Sequence, residues 1–441
     1  MPPGFVRTAR NRSVPRSAKR LAEESFLGDD FLRQLMSVGE VDLLVGVPTY
    51  NNASTLEQTL WGVEESLRQN FVRERAVILN VDGGSADETR QLFMQSAERS
   101  DAGHRGLTSL RTIHRISNEY GKAQSHGLAL HNIVAAADLL RAKACAVISP
   151  TTTNLTPSWV VNLLRPVYRE SLDFVAPLYA RSPFQGLLAR NLLYPMSRAI
   201  FGQRIREIYC EEWGFSGRLA SQCLEKDVWR EEAVRARPEA WMAITAIGGG
   251  LKCGQSFLGP KMAPPAGTDI VEIIRQTVGN FLWCMETNQP QWLSRSDSQP
   301  VPTFGPDHEL SLDGIPPSQE KIFELFRSGV SELEPILSSI LAQDTHAQIK
   351  AIALSEPSKF HFPLELWVKT VYEFAASYHH TVLNRDHLVQ ALVPLYRGQL
   401  CSFLLEHGHA SAEALEAQSE LLCQEFERQK PYLVERWKVK R

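Results

Sequence analysis

Two stretches, VDLLVGVPTYNN (residues 41–52) and AVILNVDGGSAD (residues 76–87), decide the fold. Each begins with a strand-length run of Val, Leu and Ile and ends in a turn rich in Pro, Gly, Asn and Asp. Between them, residues 54–69 repeat apolar side chains at the spacing of an amphipathic helix. The pair therefore predicts a strand–helix–strand unit.

The same alternation continues along the next hundred residues. Further helices and strands are predicted, in chain order, over residues 87–97, 110–116, 123–141, 144–149 and 172–177. Alternating strands and helices predict an α/β fold, with a Rossmann-like, mostly parallel sheet covered by helices on both faces. Ligands of such sheets bind at the carboxyl ends of the strands. The turns at 48–52, 82–87 and 149–154 are therefore the candidate site.

Changes in composition divide the chain into four regions. They are a basic tail predicted to be disordered, an α/β domain, a proline-rich linker and a helical C-terminal domain, over residues 1–40, 41–292, 293–318 and 319–441. The C-terminal region is helical in pattern to its end, and it carries its own aromatic residues. The three boundaries between these regions are predictions from pattern alone.

The overall composition is that of an ordinary globular protein. Of the 441 residues, 43% are hydrophobic and 22% are charged, and the formal net charge is −3. This charge gives no general attraction to nucleic acid, so no nucleic-acid partner is predicted. No run approaches the roughly 20 apolar residues that cross a bilayer, and the basic tail lacks the apolar segment of a secretory signal. We therefore expect no transmembrane segment and a cytoplasmic location.

The cysteine and histidine residues give no sign of a metal site. The seven cysteines are scattered without a Cys-x-x-Cys pair, which predicts reduced, mostly buried thiols. His114, His126 and His131 lie close in sequence but do not share metal-ligand spacing with a carboxylate. They are expected to be core or surface residues.

Asp82 and Gly83 open the most suggestive turn. A carboxylate at a strand end can accept hydrogen bonds from a ribose or a base, and glycine allows the backbone to approach a ligand. The alternative is a helix cap with a tight turn and no ligand. Taken alone, Asp82 and Gly83 do not distinguish a ligand-binding turn from a structural one.

Together, the two opening stretches resemble the nucleotide-binding half of family-2-type GT-A glycosyltransferases. Other segments, LTPSW at 155–159, WGFSGRLA at 213–220 and FLGPK at 257–261, read like a bacterial group related to the mannosylglycerate and glucosyl-phosphoglycerate synthases. The resemblance implies a GT-A fold that binds a nucleoside diphosphate sugar. The donor-binding residues that follow from it are Pro48, Tyr50, Asn52, Asp82, Gly83, Lys122 and Thr151.

The chain departs from this family at the metal site. The family holds Mg²⁺ or Mn²⁺ with an Asp-x-Asp motif after the fourth strand, and commonly with a histidine from a later loop. Here residues 149–154 read SPTTTN, and Met262 and Ala263 stand near the histidine position. Hard divalent cations prefer carboxylate oxygens, and both carboxylates are missing. Compared with the family pattern, the metal motif is therefore degenerate. We predict no tightly held metal and no other cofactor.

The resemblance also suggests which residues face the acceptor. They are Glu211, Glu212, Arg181 and Glu239. Glu212 is predicted to accept a proton from an acceptor hydroxyl, and Lys122 to lie near the donor phosphates, so these two are the catalytic candidates. The alternative for the glutamate pair is a solvated pair of charges.

The predicted function is transfer of a hexosyl group from a nucleoside diphosphate sugar to a small-molecule or glycan acceptor, without a tightly held metal. Lys122, Arg181 or Lys261 would then neutralise the diphosphate. The alternative is an inactive GT-A pseudoenzyme that serves as a nucleotide-binding or protein-interaction module. Its partner would be a second copy of the chain or a catalytically intact paralogue.

Overall fold

The computed structural model describes residues 27–102, 113–119, 126–262, 269–306, 317–381, 384–408 and 410–439. Within these residues the strands are β1 (Leu43–Thr49), β2 (Ala76–Asp82), β3 (Ile113–Glu119), β4 (Ala144–Val147), β5 (Phe174–Tyr179), β6 (Trp213–Ser216), β7 (Cys253–Gly259) and β8 (Thr303–Phe304). They form one sheet in the order β3-β2-β1-β4-β6-β5-β7-β8. β6 is antiparallel to β4 and β5, and the other pairings are parallel.

The central strands are buried on both faces, which explains their continuous runs of Val, Ile and Leu. Side chains of β1 alternate between two cores. Leu44 joins the core on one face, while Leu43, Val45 and Val47 join the core on the other. The predicted α/β class, a mostly parallel sheet between helices with a helical C-terminal region, is confirmed.

The helices before residue 300 cover both faces of this sheet. In chain order they are α1 (Asp29–Val38), α2 (Ala53–Asn70), α3 (Thr89–Ala102), α4 (His126–Leu139), α5 (Pro157–Glu170), α6 (Tyr194–Phe201), α7 (Gly217–Leu224), α8 (Glu232–Ala236), α9 (Pro238–Gly248), α10 (Ile270–Thr287) and α11 (Gln289–Leu293). α2 and α5 pack on one face, and α1, α4 and α7 contribute to the core of the other face. A short π-helix, Ala189–Leu193, leads into α6.

Helices make up most of the C-terminal region. They are α12 (Gln319–Glu332), α13 (Glu334–Ile340), α14 (Gln343–Ala353), α15 (Leu364–His380), α16 (Arg385–Gln390), α17 (Val393–His407) and α18 (Ala412–Lys438). Their buried aromatics, among them Phe326, Trp367 and Phe426, belong to the same continuous core as α4, α6 and α10. The C-terminal helices therefore share a core with the sheet region.

Arg198 of α6 fastens α18 to the sheet region. Its guanidinium donates to both oxygens of Glu420, at 2.6 and 2.9 Å, and to both oxygens of Glu427, at 2.8 and 3.2 Å. The side chain is only 2% exposed. Burial alone would lower the pKa of Arg198, but the hydrogen bonds to the two carboxylates raise it. The guanidinium therefore stays charged inside the interface.

Two of the predicted boundaries need correction. The prediction of disorder through residue 40 is wrong for residues 29–38. They form α1, in which Phe31, Leu35 and Val38 are buried. The spacing of these three residues is that of an amphipathic helix. The predicted linker is also not a simple connection, because β8 within it pairs with β7 and extends the sheet.

One helical stretch, 385–407, is long and apolar enough to cross a membrane by length and composition. In the structure it comprises α16 and α17, and 78% of its most apolar window is buried among other residues. It is a core segment of this fold. All seven cysteines are free and buried, as predicted.

Candidate functional site

Six loops meet at the carboxyl edge of the sheet. Five follow parallel strands, and the sixth precedes the antiparallel β6, so all six reach the same edge. The loops span residues 50–52, 83–88, 148–156, 180–188, 202–212 and 260–262. The structure thus brings together the three turns that the sequence singled out, together with loops that the sequence did not connect to them.

Hydrogen bonds join the turn after β1 to the turn after β2. The Asn51 N–H donates to Ser85 Oγ, and the Ala86 N–H donates to Asn51 Oδ1, both at 2.8 Å. The Asn52 N–H donates to Thr89 Oγ1, also at 2.8 Å. Asn51 has a φ of 54°, a left-handed conformation that asparagine tolerates better than most residues. The two turns therefore form one rigid unit.

Asp82 lies at the centre of this unit and is 0% exposed. Its Oδ1 accepts from the N–H groups of Gly84 and Ser85, at 3.0 and 2.8 Å. Its Oδ2 accepts from the hydroxyls of Thr49 and Ser85, both at 2.7 Å. A carboxylate has about four acceptor positions, so Asp82 has none left for a ribose. This geometry favours the alternative, in which Asp82 forms the turn.

Removing the Asp82 carboxylate is therefore expected to destabilise the protein in the absence of any ligand. Asp82→Ala leaves four donors without their acceptor, which should lower the free energy of unfolding by about 2 kcal/mol. Asp82→Asn keeps the geometry, since the two hydroxyls can rotate to accept from its amide, and should change it by less than about 1 kcal/mol. Urea unfolding of both variants tests this. Equal stability of Asp82→Ala and the wild type would contradict the structural role.

The other donor-site candidates surround the same turn. The Gly83 N–H donates to the Thr49 carbonyl at 2.8 Å, and the Asn52 side-chain carbonyl accepts from the Tyr50 N–H at 2.7 Å. Pro48 is half-buried in β1. Tyr50 is 42% exposed, so its ring offers an apolar surface at the edge of the sheet. Of this group, Tyr50 is the residue with an exposed aromatic ring.

The loop after β4, residues 148–156, is bound directly to the loop after β7. The Asn154 side-chain N–H₂ donates to the Pro260 carbonyl at 2.7 Å, and its carbonyl accepts from the Met262 N–H at 2.9 Å. The Thr153 N–H donates to the Met262 carbonyl at 2.9 Å. The two segments in which the resembled family carries metal ligands are therefore neighbours here, joined by uncharged hydrogen bonds.

Lys261 occupies the centre of this region. Its Nζ lies 2.8 Å from Glu211 Oε2 and 2.8 Å from Glu212 Oε2, and the lysine side chain is 14% exposed. The hydroxyls of Thr151 and Thr152 donate to Glu211 and Glu212, at 3.2 and 2.6 Å respectively. The threonines of the loop after β4 therefore contact the two carboxylates that hold the lysine ammonium.

The two glutamates have different environments. Glu212 is 0% exposed, and its oxygens accept from Thr152, from Lys261 and from the Tyr179 hydroxyl. Glu211 is 48% exposed. Glu212 is therefore a buried partner of Lys261, while Glu211 is the carboxylate that reaches solvent, and the catalytic role expected for Glu212 stays a prediction.

The ammonium strongly affects the titration of the exposed glutamate. Burial would raise the pKa of Glu211, but the charge of Lys261 and its hydrogen bond outweigh this effect and hold the pKa at about 2. Burial would lower the pKa of Lys261, but the two carboxylates raise it. Both groups are therefore charged throughout the neutral range, and Glu211 is a weak base.

The residues present do not fit a divalent cation. Within the parts of the chain that the structure describes, no group of three His, Cys, Asp or Glu side chains could hold a metal ion. The nearest set of oxygens, those of Glu211, Glu212 and Thr151, already surrounds the Lys261 ammonium. A second cation there would be repelled by the first.

Two further ion pairs lie behind this cluster. Arg181 contacts Glu207 at 3.1 Å, and its guanidinium lies 5.0 Å from the centre of the Tyr179 ring. Arg237 Nε lies 2.7 Å from Glu239 Oε1. Burial raises the pKa of Glu239 in spite of Arg237. Arg181 and Glu239, both predicted to bind the acceptor, are therefore already paired with opposite charges.

Some predicted residues lie outside the described parts of the chain. Lys122 and Ala263 are among them, so the predictions made for them stay predictions. His131 stacks on Trp229 with 4.3 Å between the ring centres, and burial lowers its pKa to about 4. It is a half-buried residue that packs against Trp229.

Sequence reasoning missed Glu207 and Tyr179 as members of the charged region. Glu207 lies four residues before Glu211, a spacing that would place both on one face of a helix. This segment is not helical, so the spacing does not predict that the two residues lie close together. Tyr179 ends β5, and its position at a strand end was the available clue.

Comparisons with known proteins give partial likenesses. A structure of glucosyl-3-phosphoglycerate synthase from Mycobacterium tuberculosis, in complex with Mn²⁺, uridine diphosphate and glucosyl-3-phosphoglycerate, is 16% identical, with a TM-score of 0.41 over 58% of this chain and 83% of that chain. Another structure of that synthase is 16% identical, with a TM-score of 0.39 over 70% of this chain and 97% of that chain. No protein-family profile and no curated protein sequence matches the chain.

Proposed function

We propose that this chain is a GT-A-type glycosyltransferase that moves a hexosyl group from a nucleoside diphosphate sugar to a small-molecule or glycan acceptor. The site is the carboxyl edge of the sheet, and Lys261 supplies the positive charge that a divalent cation supplies in the resembled family. The proposal is supported by the sequence motifs of the two opening turns and by the geometry around Lys261.

The Lys261 contacts carry the proposal. The ammonium lies between two carboxylates, at 2.8 Å from each, and beside the threonines that replace the metal motif. Loss of a nucleoside diphosphate places negative charge on the leaving group, and a fixed cation stabilises that charge. An ammonium is a recognised partner of phosphate groups.

A lysine ammonium replaces only part of the charge of a divalent cation. Two carboxylates around a divalent cation sum to zero, whereas Glu211, Glu212 and the Lys261 ammonium sum to −1. The site therefore has one positive charge less than a metal site built from the same carboxylates. We propose that Lys122 contributes the missing charge at the donor phosphates.

The remaining roles follow from position. Tyr50 stacks on the base, and Pro48, Asn52 and Gly83 shape the turn that Asp82 holds. Thr151 lies between the donor and Glu211, with its hydroxyl 3.2 Å from that carboxylate. Glu211 orients an acceptor hydroxyl by accepting its hydrogen bond. Arg181 and Glu239 line the acceptor side, and both stay ion-paired.

A second candidate is a nucleotide-binding pseudoenzyme. It is favoured by one observation: Asp82 and Glu212 are both 0% exposed and are occupied by protein donors. A carboxylate in that state neither binds a ribose nor removes a proton from an acceptor. In this case the same edge binds the nucleotide, and a second copy or an intact paralogue is the partner.

Binding without metal is the test common to both candidates. In excess chelator, UDP-glucose or GDP-mannose at 100 times its Kd should stabilise the protein by about 2.7 kcal/mol, seen as a rise in Tm. Tyr50→Ala should weaken binding by about 1–3 kcal/mol through lost stacking. Trp61→Ala is the matched control, because Trp61 is also an exposed aromatic (58%) but lies on α2 away from the turn.

The outcomes separate the candidates. Release of UDP that depends on an added acceptor, with chelator present, supports the transferase. Binding without release over a panel of phosphorylated and glycan acceptors supports the pseudoenzyme. Absence of a Tm change with every nucleotide sugar contradicts both.

A further inference from the structure

A cavity of about 580 Å³ lies at the amino edge of the sheet, opposite the proposed transferase site. It forms where the segments before β4, β5 and β7 meet the segment after the antiparallel β6. At roughly 3.3 Å per residue, the four residues of β4 alone separate the two edges by about 13 Å. The cavity is therefore distinct from the Lys261 region.

The lining of this cavity carries more positive than negative charge. Four cationic side chains line it, Arg141, Lys143, Arg218 and Lys252. The carboxylates in the lining are Asp138 and Asp173. The formal sum over these lining side chains is +2, obtained from four cations and two carboxylates, and two carboxylates outside the lining, Glu40 and Asp42, pair with Arg141 and Lys143.

The buried carboxylate in the lining is already fully occupied. Asp173 accepts from Ser216 Oγ at 2.7 Å, from Arg218 Nε at 2.9 Å and from the Lys252 N–H at 3.0 Å. A further Arg218 nitrogen, Nη2, donates to its second oxygen. Asp138 accepts from the Ser221 hydroxyl. Neither carboxylate is therefore arranged to receive a cation from solution.

Donor groups, by contrast, remain available. Among the residues that the structure describes, the Lys252 ammonium has no hydrogen bond or ion pair, and its side chain is exposed. Lys143 and Arg141 pair with Asp42 and Glu40 through single contacts, at 2.7 and 2.8 Å. Each contact uses one of several N–H donors of the cation, so the remaining donors are available to an incoming anion.

The N-terminus of α7 adds positive electrostatic potential to the cavity. Its cap residue Ser216 and its first residues, Gly217 and Arg218, line the cavity. Ser216 Oγ accepts from the Leu219 N–H, so the N–H groups that this helix can still offer to an anion are those of Gly217 and Arg218. The dipole of a helix N-terminus also favours negative charge. Gly217 is required there, because a Cβ at this position would lie 2.1 Å from the Ala142 carbonyl oxygen.

The available donors select phosphate over carboxylate. Planar carboxylates bind best to a free arginine fork, but the Arg218 fork is taken by Asp173, and one nitrogen of the Arg141 fork is taken by Glu40. Lysine ammonium groups act as point charges and bind tetrahedral phosphates from several directions. We infer that this cavity is a second anion site, which binds a multivalent phosphate compound through Lys252, Lys143 and the N-terminus of α7.

Calorimetry with inorganic pyrophosphate tests this site independently of the transferase proposal. The titration is made at low ionic strength, with UDP present so that the opposite edge is already filled if it binds nucleotide. Wild-type protein should show a saturable site, and Lys252→Glu should weaken it by roughly tenfold or more. Lys359→Glu is the matched control, because Lys359 is an exposed lysine (77%) of the C-terminal region.

The result that would overturn the inference is specific. No saturable binding in the wild type, or equal weakening by Lys252→Glu and Lys359→Glu, removes the site. Citrate is expected to bind roughly tenfold more weakly than pyrophosphate, and equal affinities would overturn the assignment to phosphate. Because Lys252 is exposed and forms no side-chain bond among the described residues, Lys252→Glu should fold, and its unchanged Tm is the check.

Discussion

Lys261→Met is expected to lower the free energy of unfolding by about 3–5 kcal/mol and to abolish nucleotide-sugar binding at the same time. The substitution leaves Glu212, which is 0% exposed, with its charge uncompensated inside the protein. The loss of the ammonium also removes the cation assigned to the leaving diphosphate. Urea unfolding and the chelator-resistant thermal shift measure the two effects on the same sample.

The double variant Lys261→Met with Glu212→Gln separates these effects. A glutamine removes the buried charge but keeps a partner for Thr152 and Tyr179, so most of the lost stability should return. Nucleotide binding should not return with it, because the ammonium is still missing. Recovery of binding together with stability would show that Lys261 acts only by supporting the fold, and would contradict its proposed function.

Arg198→Met should lower the free energy of unfolding by about 3 kcal/mol, near the lower end for loss of a buried ionic partner. Glu420 and Glu427 lose a guanidinium that is only 2% exposed, but both can turn partly toward water. Arg198→Lys should recover little, because an ammonium cannot donate to both oxygens of both carboxylates at once. Unfolding in urea, with limited proteolysis of α18, measures the loss.

Arg33→Met is the control for that experiment. Arg33 pairs with Asp30 one helical turn away, and both side chains are largely exposed. Its removal should change the free energy of unfolding by less than about 0.5 kcal/mol. If Arg198→Met is as stable as Arg33→Met, the buried contacts with α18 do not fasten the C-terminal helices.

Long periodic elements could be predicted from the sequence. The helix expected over 54–69 is observed as Ala53–Asn70, and the strand expected over 76–81 is observed as Ala76–Asp82. Shorter elements have too few residues to show a hydrophobic periodicity, so they could not be predicted. β6 has four residues and includes a glycine, and β8 has two, so neither shows a period of its own. Their pairing is set by neighbouring strands and not by their own composition.

The site was predictable in location but not in detail. The rule for parallel sheets predicts a site at the carboxyl edge, where the structure does bring the three turns together, and the absence of carboxylates after β4 can be read from the letters SPTTTN. The ion pairs could not be read in the same way, because Lys261 lies 49 residues from Glu212. The burial of Asp82 was also hidden, since a turn-forming carboxylate and a ligand-binding one have the same sequence.

Lys261 gives this edge a cation that is made with the polypeptide. Its amount always equals the amount of protein, and it does not depend on the supply of manganese or magnesium in the surroundings. Such a charge is present from the moment the chain folds, and it cannot be stripped out or swapped for a different ion. The proposed transfer at this edge would therefore not depend on the supply of divalent metal in the cell.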